Sequence, residues 1–409
     1  MQNLRYVGKN LFLEKLSISN ILKKSKTPFY LYSESQIINN YLKFIKTFKK
    51  TNPIVCFAAK SNSNVAILKI LGKLGAGADV VSVGELLKAL KAGIKSNKIV
   101  FSGVGKTEEE LEIAINKKIL LINCESESEA KLINKIAKKL KKKVSIGFRL
   151  NPNIDAKTHK KISTGKAENK FGLSIKNFKS FFRDISMYQN IRLDALSVHI
   201  GSQILTDSPY KKTLNVMSKL IEELNLELKF ADLGGGFGIN YSGKDKPINL
   251  TKYSALVDNF SKKLKCKIIF EPGRSIIGDT GILLSKIQYI KKSANKDFII
   301  LDVGMNDFMR PALYDAKHII IPVSRVSSKI KGLIEFVGPI CESTCKFGIY
   351  KNFSKIKEND YIAITNVGAY GSSLSSNYNT RPLIAEILVS KNKFKYIRKK
   401  QNLLKLINS

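Results

Sequence analysis

An apolar run that ends in a lysine, IVCFAAKSNSN at residues 54–64, puts the amine of Lys60 where a strand meets a polar turn. Partial desolvation at a strand mouth enlarges the neutral fraction of such an amine, and a neutral amine condenses with an aldehyde. The plain alternative is a lysine that only carries its charge out to solvent. In DLGGGFG, at residues 232–238, three glycines follow an apolar run, so backbone N–H groups can approach a phosphate without side-chain obstruction. Tight turns use the same residues. FEPGRS brings Glu271, Gly273 and Arg274 into one turn, and Glu271 could pair with a protonated ring nitrogen. SVHIGSQ contributes His199, able to pack on a planar ring or to sit as a satisfied core residue, and Ser202, able to donate to phosphate. His159 and His318 are the other histidines of the chain. A lysine, a glycine cradle, a glutamate and a histidine at successive strand ends together describe a site for pyridoxal 5′-phosphate.

Those residues need elements that deliver them to one place. From residue 54 onward, eight short β-branched runs recur: IVCFAAK, ADVVSV, KIVFSG, LLINCES, VSIGFRLN, DALSVHIGS, LKFADLGGG and KIIFEPG. Between them lie segments with 3.6-residue apolar spacing, at 65–74, 85–92, 108–116, 129–140 and 211–226. Such alternation predicts a parallel sheet with crossover helices, and eight units predict a (β/α)8 TIM-like barrel. Lys60, Asn151, His199 with Ser202, Gly234 to Gly236, and Glu271 with Arg274 all follow strands, at the end where barrel enzymes carry their chemistry. After about residue 280 strand-like pieces follow one another without helices, which predicts a C-terminal all-β domain. The N-terminal segment through TPFYLYS is expected to add a strand to it. The expected domains are 32–280 for the barrel, and 1–31 together with 281–409 for the β domain.

Composition narrows the class. With 409 residues, 44% hydrophobic and 25% charged, the chain is an ordinary globular protein large enough for two domains. No run approaches the roughly 20 apolar residues of a membrane helix. The opening MQNLRYVGKNLFLEKLS carries charges where a signal peptide is apolar, so a soluble, cytoplasmic protein with no membrane contact is expected. The net charge of +37 invites a nucleic-acid partner, but the excess is lysine scattered over helix faces, as in AKLINKIAKKLKKK, without aromatic interleaving. No nucleic acid is expected. Arginine is rare by contrast, and Arg274 and Arg310 stand in the densest motifs. Five cysteines without framework spacing fit a reducing compartment; Cys341 and Cys345 are spaced like half a zinc site with no second half nearby, so no metal is expected.

The ordered motifs FAAKSNSN, GADVVSVGEL, FRLNPNID, KISTGKAENKFGL, VHIGSQ, DLGGGFG, EPGRS, MNDFMRPALYDAKH, GPICES and VGAYGSSLSSNYNTRP resemble diaminopimelate decarboxylase from about residue 27 to 390. The resemblance implies a fold type III enzyme with an alanine-racemase-like barrel and a β domain. It implies a head-to-tail homodimer with shared active sites that converts meso-diaminopimelate to L-lysine and carbon dioxide, the last step of lysine biosynthesis. Carried over by motif, Lys60 holds the cofactor covalently, His199 stacks on its ring and Glu271 keeps the ring nitrogen protonated. Ser202, Gly235, Gly236, Gly273 and Arg274 bind or flank the phosphate, and Tyr370 lies near the cofactor. Arg274, Arg310, Tyr314 and Tyr370 contact substrate. Cys341, the proton donor, and Glu342, which reads the distal ammonium, come from the other subunit.

Charge chemistry supports that specificity: an extra carboxylate on the substrate calls for a guanidinium fork, whereas ornithine or arginine would call for an acid there. The rival is a decarboxylase of the same fold acting on ornithine, arginine or carboxynorspermidine. CESTCKFG departs from the family by placing Cys345 where an aspartate is usual, which bears on loop geometry. Val83 stands where glycine is common.

Overall fold

The computed structural model describes residues 2–156, 158, 160–162, 164–166 and 168–408, and turns the eight apolar runs into eight parallel strands. They are Ile54–Ala58, Gly77–Val80, Ile99–Phe101, Leu121–Cys124, Val144–Asn151, Ile191–Val198, Phe230–Asp232 and Lys267–Phe270. The eighth pairs with the first, Ile269 beside Ile54, and the fourth with the fifth, Ile122 beside Ile146, so the sheet closes into the expected barrel. Closure leaves no edge among the eight. Cys56, Val100, Leu121, Ala195 and Ile269, each from a different strand, form one buried cluster. Helices cover the outer faces, which is why most residues of these strands are buried rather than alternating with exposed ones.

The helices begin where short polar side chains can satisfy their first N–H groups. Ser82 caps Val83–Lys91, Ser126 caps Glu127–Lys139, and Thr107 with Glu110 forms a reciprocal capping box for Glu108–Asn116. Ser208–Glu223 starts with proline in its first turn. Further helices are Glu34–Thr47, Ile175–Arg183 and Leu250–Leu264, the last burying Tyr253, Val257 and Phe260 at i, i+4 and i+7.

Contacts divide the chain into two units. One is Tyr41–Ile239 with Lys246–Ser275 and contains the barrel; the other is Met1–Asn40 with Asn240–Asp245 and Ile276–Ser409. The second is mostly β rather than all β, since Ile18–Leu22, Arg310–Tyr314 and Leu403–Ile407 are helical. Its large sheet runs in the order Lys346–Lys351, Leu333–Val337, Asp297–Leu301, Gly281–Lys291, Phe29–Ser33, Ala385–Ser390, Lys393–Arg398. The N-terminal strand thus lies inside this sheet, antiparallel to Gly281–Lys291 and parallel to Ala385–Ser390. Phe29, Leu31, Ile282, Leu284, Ile387 and Val389 share its core. Buried Glu14 accepts hydrogen bonds from Ser33 Oγ (2.7 Å) and the Ser35 N–H (2.9 Å), fixing the end of that strand.

Candidate active site

In the barrel unit, the sequence-derived residues gather at the carboxyl ends of the strands. Lys60 lies in a short 3₁₀ turn, Ala59–Ser61, directly after the first strand. Its Nζ is 2.9 Å from Oδ2 of Asp79, which is fully buried on the second strand. His199 follows the sixth strand, and its Nδ1 accepts a hydrogen bond from the Gly235 N–H at 3.3 Å. That bond makes Nδ1 the bare nitrogen and leaves the ring proton on Nε2. Burial, then the nearby charges of Lys60 and Arg149, pushes the imidazole well below its ordinary pKa, so His199 is neutral. A neutral ring is suited to packing on another flat ring without adding charge.

The glycine turn is set by its surroundings. Gly234 and Gly236 have φ of +62° and +87°, and a methyl on Gly235 would stand 2.1 Å from the Glu271 carbonyl oxygen. The Glu271 N–H donates to the Gly234 carbonyl at 2.7 Å, tying this turn to the one after the eighth strand. A methyl on Gly273 would meet Ser61 Oγ at 2.9 Å. Arg274 is buried and donates from Nη2 to Ser202 Oγ at 2.8 Å, so a guanidinium and a hydroxyl are held together beside the glycines.

Below them lies a cluster that the motifs do not announce. Glu271, Asp232 and Asp79 are buried, with Asn123 and Ser102 between them. Asp232 accepts from the Gly234 N–H through Oδ1 (3.0 Å) and from Asn123 Nδ2 through Oδ2 (2.8 Å). Ser102 Oγ is 3.4 Å from Glu271 Oε1. Burial raises the Asp232 carboxyl, and Glu271 is pushed well above the ordinary carboxylate range by burial, then by Asp232 and Asp79. With both Asp232 oxygens already accepting, Glu271 is the carboxyl that more readily keeps a proton. Sequence reading named Asp232 only as the start of a glycine run. Its signal, and that of Asp79, is the one that marked Lys60: a charge closing an apolar strand.

Arg149, on the fifth strand, was also missed as a support. Its Nη1 is 2.9 Å from Glu125 Oε1 and its Nη2 donates to the His199 carbonyl at 3.1 Å, both side chains being almost fully buried. Arg149→Ala strands the Glu125 charge, and we expect a loss of about 3–5 kcal/mol in unfolding free energy by urea titration. A loss under about 1 kcal/mol would refute this support. Asn151, named with the strand-end residues, instead braces the following loop by donating to the Lys166 carbonyl at 2.7 Å. His159 lies outside the described residues.

The β unit carries the rest of the sequence-derived set. Arg310 opens the helix Arg310–Tyr314 and is buried, its guanidinium 4.7 Å from the Tyr241 ring centroid and 6.0 Å from that of Tyr314. Tyr370 is half-buried with φ of +55°, a left-handed conformation rarely taken by an aromatic residue. Cys341 and Glu342 are exposed; Glu342 Oε1 accepts from the Tyr378 hydroxyl at 2.8 Å. Cys345 is buried, accepts from the Met305 N–H at 3.3 Å, and has its thiol pKa pushed up by burial. So Cys345 acts as a core residue of this loop, whereas Cys341 is exposed.

The donor set of the barrel unit fits pyridoxal phosphate. It offers an amine for the aldehyde, a guanidinium and hydroxyl beside a glycine turn for the phosphate, a neutral imidazole for the ring face and a carboxyl for the ring nitrogen.

Comparison with known proteins agrees. Residues 34–278 match the family model described as pyridoxal-dependent decarboxylase, pyridoxal binding domain. The diaminopimelate decarboxylase of Aquifex aeolicus is 41% identical over 402 residues, covering 98% of this chain and 95% of the relative. That of Helicobacter pylori strain J99 is 44% identical over 92% of this chain and 94% of its own length. The crystal structure of the Helicobacter pylori enzyme complexed with L-lysine superposes with a TM-score of 0.90 at 42% identity, covering 95% of this chain and 98% of that one. The crystal structure of the diaminopimelate decarboxylase from m. jannaschii in co-complex with L-lysine gives a TM-score of 0.92 at 36% identity, covering 99% of this chain and 96% of that one. With a barrel whose strand ends hold these donors and with near-complete coverage by such relatives, the chain belongs to the diaminopimelate decarboxylase family of pyridoxal-dependent decarboxylases.

Proposed function

We propose that this protein decarboxylates meso-diaminopimelate to L-lysine and carbon dioxide with pyridoxal phosphate as its cofactor. Within the family, the observation that carries this substrate is Arg310: a buried guanidinium framed by Tyr241 and Tyr314 suits a second carboxylate and repels the cationic end of ornithine or arginine.

Bound pyridoxal phosphate supplies an electron sink for the pair left behind when the bond between Cα and the carboxylate breaks. Lys60 provides the amine that fastens the cofactor through its aldehyde carbon, and must first leave Asp79 to do so. Arg274 and Ser202, with the turns of Gly235, Gly236 and Gly273, hold the phosphate. His199 supports the ring face. Glu271 holds a proton at the ring nitrogen, and the Asp232 charge behind it favours keeping that proton in the pair. Arg310 and Tyr314 orient the substrate by its distal carboxylate, with Arg274 and Tyr370 as further contacts. After carbon dioxide departs, the Cys341 thiol delivers a proton to the carbon that lost it, and Glu342 pairs with the distal ammonium.

In this reading Cys341 and Glu342 of the partner subunit complete each site, so the working form is a homodimer. Residues 32–280 act as the cofactor module, and residues 1–31 with 281–409 as the β module. The five cysteines form no disulfide, which supports a reducing, cytoplasmic setting.

Carbon dioxide release by cofactor-loaded protein, with meso-diaminopimelate, L-ornithine, L-arginine and carboxynorspermidine offered in parallel, tests the function. Release from diaminopimelate alone is expected. Release from one of the others instead would overturn the specificity assigned to Arg310.

A further inference from the structure

Arginine donates hydrogen bonds and accepts none, and this fixes the state of the residue beside Arg310. Arg310 Nε is 3.2 Å from His318 Nε2, so that nitrogen accepts and carries no proton. The other ring nitrogen, Nδ1, lies 2.9 Å from the Thr365 carbonyl oxygen and must therefore be the donor. His318 is buried, and Phe308 and Tyr241 flank its ring edge-on at 4.8 and 4.9 Å between centroids. Its own carbonyl accepts from the Tyr350 hydroxyl at 3.1 Å, and that hydroxyl accepts from the Ile320 N–H at 2.7 Å. The Thr365 carbonyl follows the strand Tyr361–Ile364, whose neighbour is Ile320–Pro322. The imidazole is thus anchored to a two-strand ladder, and it passes that rigidity to the guanidinium.

We propose that His318 is a positioning residue for substrate recognition: by occupying Arg310 Nε and holding the guanidinium plane against Tyr241, it presents the Nη1–Nη2 end as the fork for the distal carboxylate. This rests on the reading of Arg310 given above. A guanidinium can meet a carboxylate through its Nε–Nη side or its Nη1–Nη2 end. With Nε committed to His318, the end-on geometry is selected, which sets where the substrate's distal centre sits. His318 touches neither substrate nor cofactor in this scheme; it acts through Arg310.

Two conservative variants separate the two ring nitrogens. A glutamine at 318 places its amide oxygen near the position of Nε2, whereas an asparagine reaches only the position of Nδ1. His318→Gln therefore keeps the acceptor for Arg310, and His318→Asn keeps the link to Thr365 while losing Arg310. The readout is equilibrium binding of L-lysine, which retains the distal carboxylate, and of 1,5-diaminopentane, which lacks it, to the cofactor-loaded protein. KM and kcat for meso-diaminopimelate accompany it. We expect His318→Asn to weaken L-lysine binding and raise KM by roughly 10- to 100-fold, the scale of one hydrogen bond to a charged group. Diaminopentane binding and kcat stay within about threefold, and His318→Gln stays within about threefold of the parent throughout. Equal L-lysine affinities in the two variants, or parallel losses of lysine and diaminopentane, would overturn the inference. Arg310→Leu distinguishes the levels: if it spares the preference for lysine over diaminopentane, the reading of Arg310 itself fails. If it abolishes that preference while His318→Asn does not, only the role of His318 fails.

Discussion

Replacing Lys60 with alanine is expected to abolish the visible absorption band of the cofactor-loaded protein and to lower kcat by about 10³-fold or more, on the scale of removing a covalent catalytic group. The substitution has a second consequence, because the Lys60 amine stands 2.9 Å from a carboxylate whose side chain is fully buried. Asp79 is then left buried without its cation. One face of the pair is open to solvent, since the Lys60 side chain is 31% exposed, so a destabilisation of about 1–3 kcal/mol is expected rather than the full cost of breaking a buried pair. The double variant Lys60→Ala with Asp79→Asn separates the effects: it should recover the melting temperature without recovering the band. A Lys60→Ala protein that retains the band and turnover would remove Lys60 from its assigned role.

Glu271→Gln is expected to cut kcat by about 10²–10³-fold, the usual scale for losing one preorganised electrostatic contact to a developing charge, while KM changes only severalfold. Stability should move the other way. Burial, with Asp232 and Asp79 close by, raises the Glu271 pKa in the folded protein, and Lys60 offsets this only in part. Above the unfolded carboxyl value of about 4.5 the folded state therefore binds the extra proton, and unfolding free energy falls as pH rises through that range. Glutamine has no proton to lose at this position. Cofactor-free Glu271→Gln should accordingly show a shallower fall of melting temperature with pH than the parent, and equal or greater stability at neutral pH. Unchanged kcat, or an unchanged pH slope, would sink the assignment.

Both expectations rest on neighbours the linear sequence does not advertise. Lys60, His199, the glycine turn and Glu271 stand out because each interrupts an apolar strand with a residue that strand propensity does not favour, and the eight strands themselves are legible as β-branched runs at regular spacing. Asp79 and Asp232 interrupt strands in the same way but belong to no phosphate or amine chemistry. Their meaning arises only when barrel closure turns them inward with Glu271, at residues 79, 232 and 271, into one low-dielectric interior. Likewise Lys346–Lys351, whose sequence KFGIYK mixes charge and glycine, becomes a strand because Leu333–Val337 offers it a partner. Local propensity carries little of that pairing.

The sequence by itself determined the period of the barrel, the family and the candidates for the reactive side chains, because strand rhythm and turn chemistry are local properties written in neighbouring residues. Tertiary structure alone decided where Phe29–Ser33 inserts, between strands that begin 252 and 356 positions later in the chain, at Gly281 and Ala385. It alone decided that Asp232 lies close enough to raise the Glu271 pKa and that His318 accepts from Arg310 Nε. Hydrogen bonds and charge coupling depend on separations of a few ångströms in space, and a chain that folds back on itself sets those separations without regard to distance along the sequence.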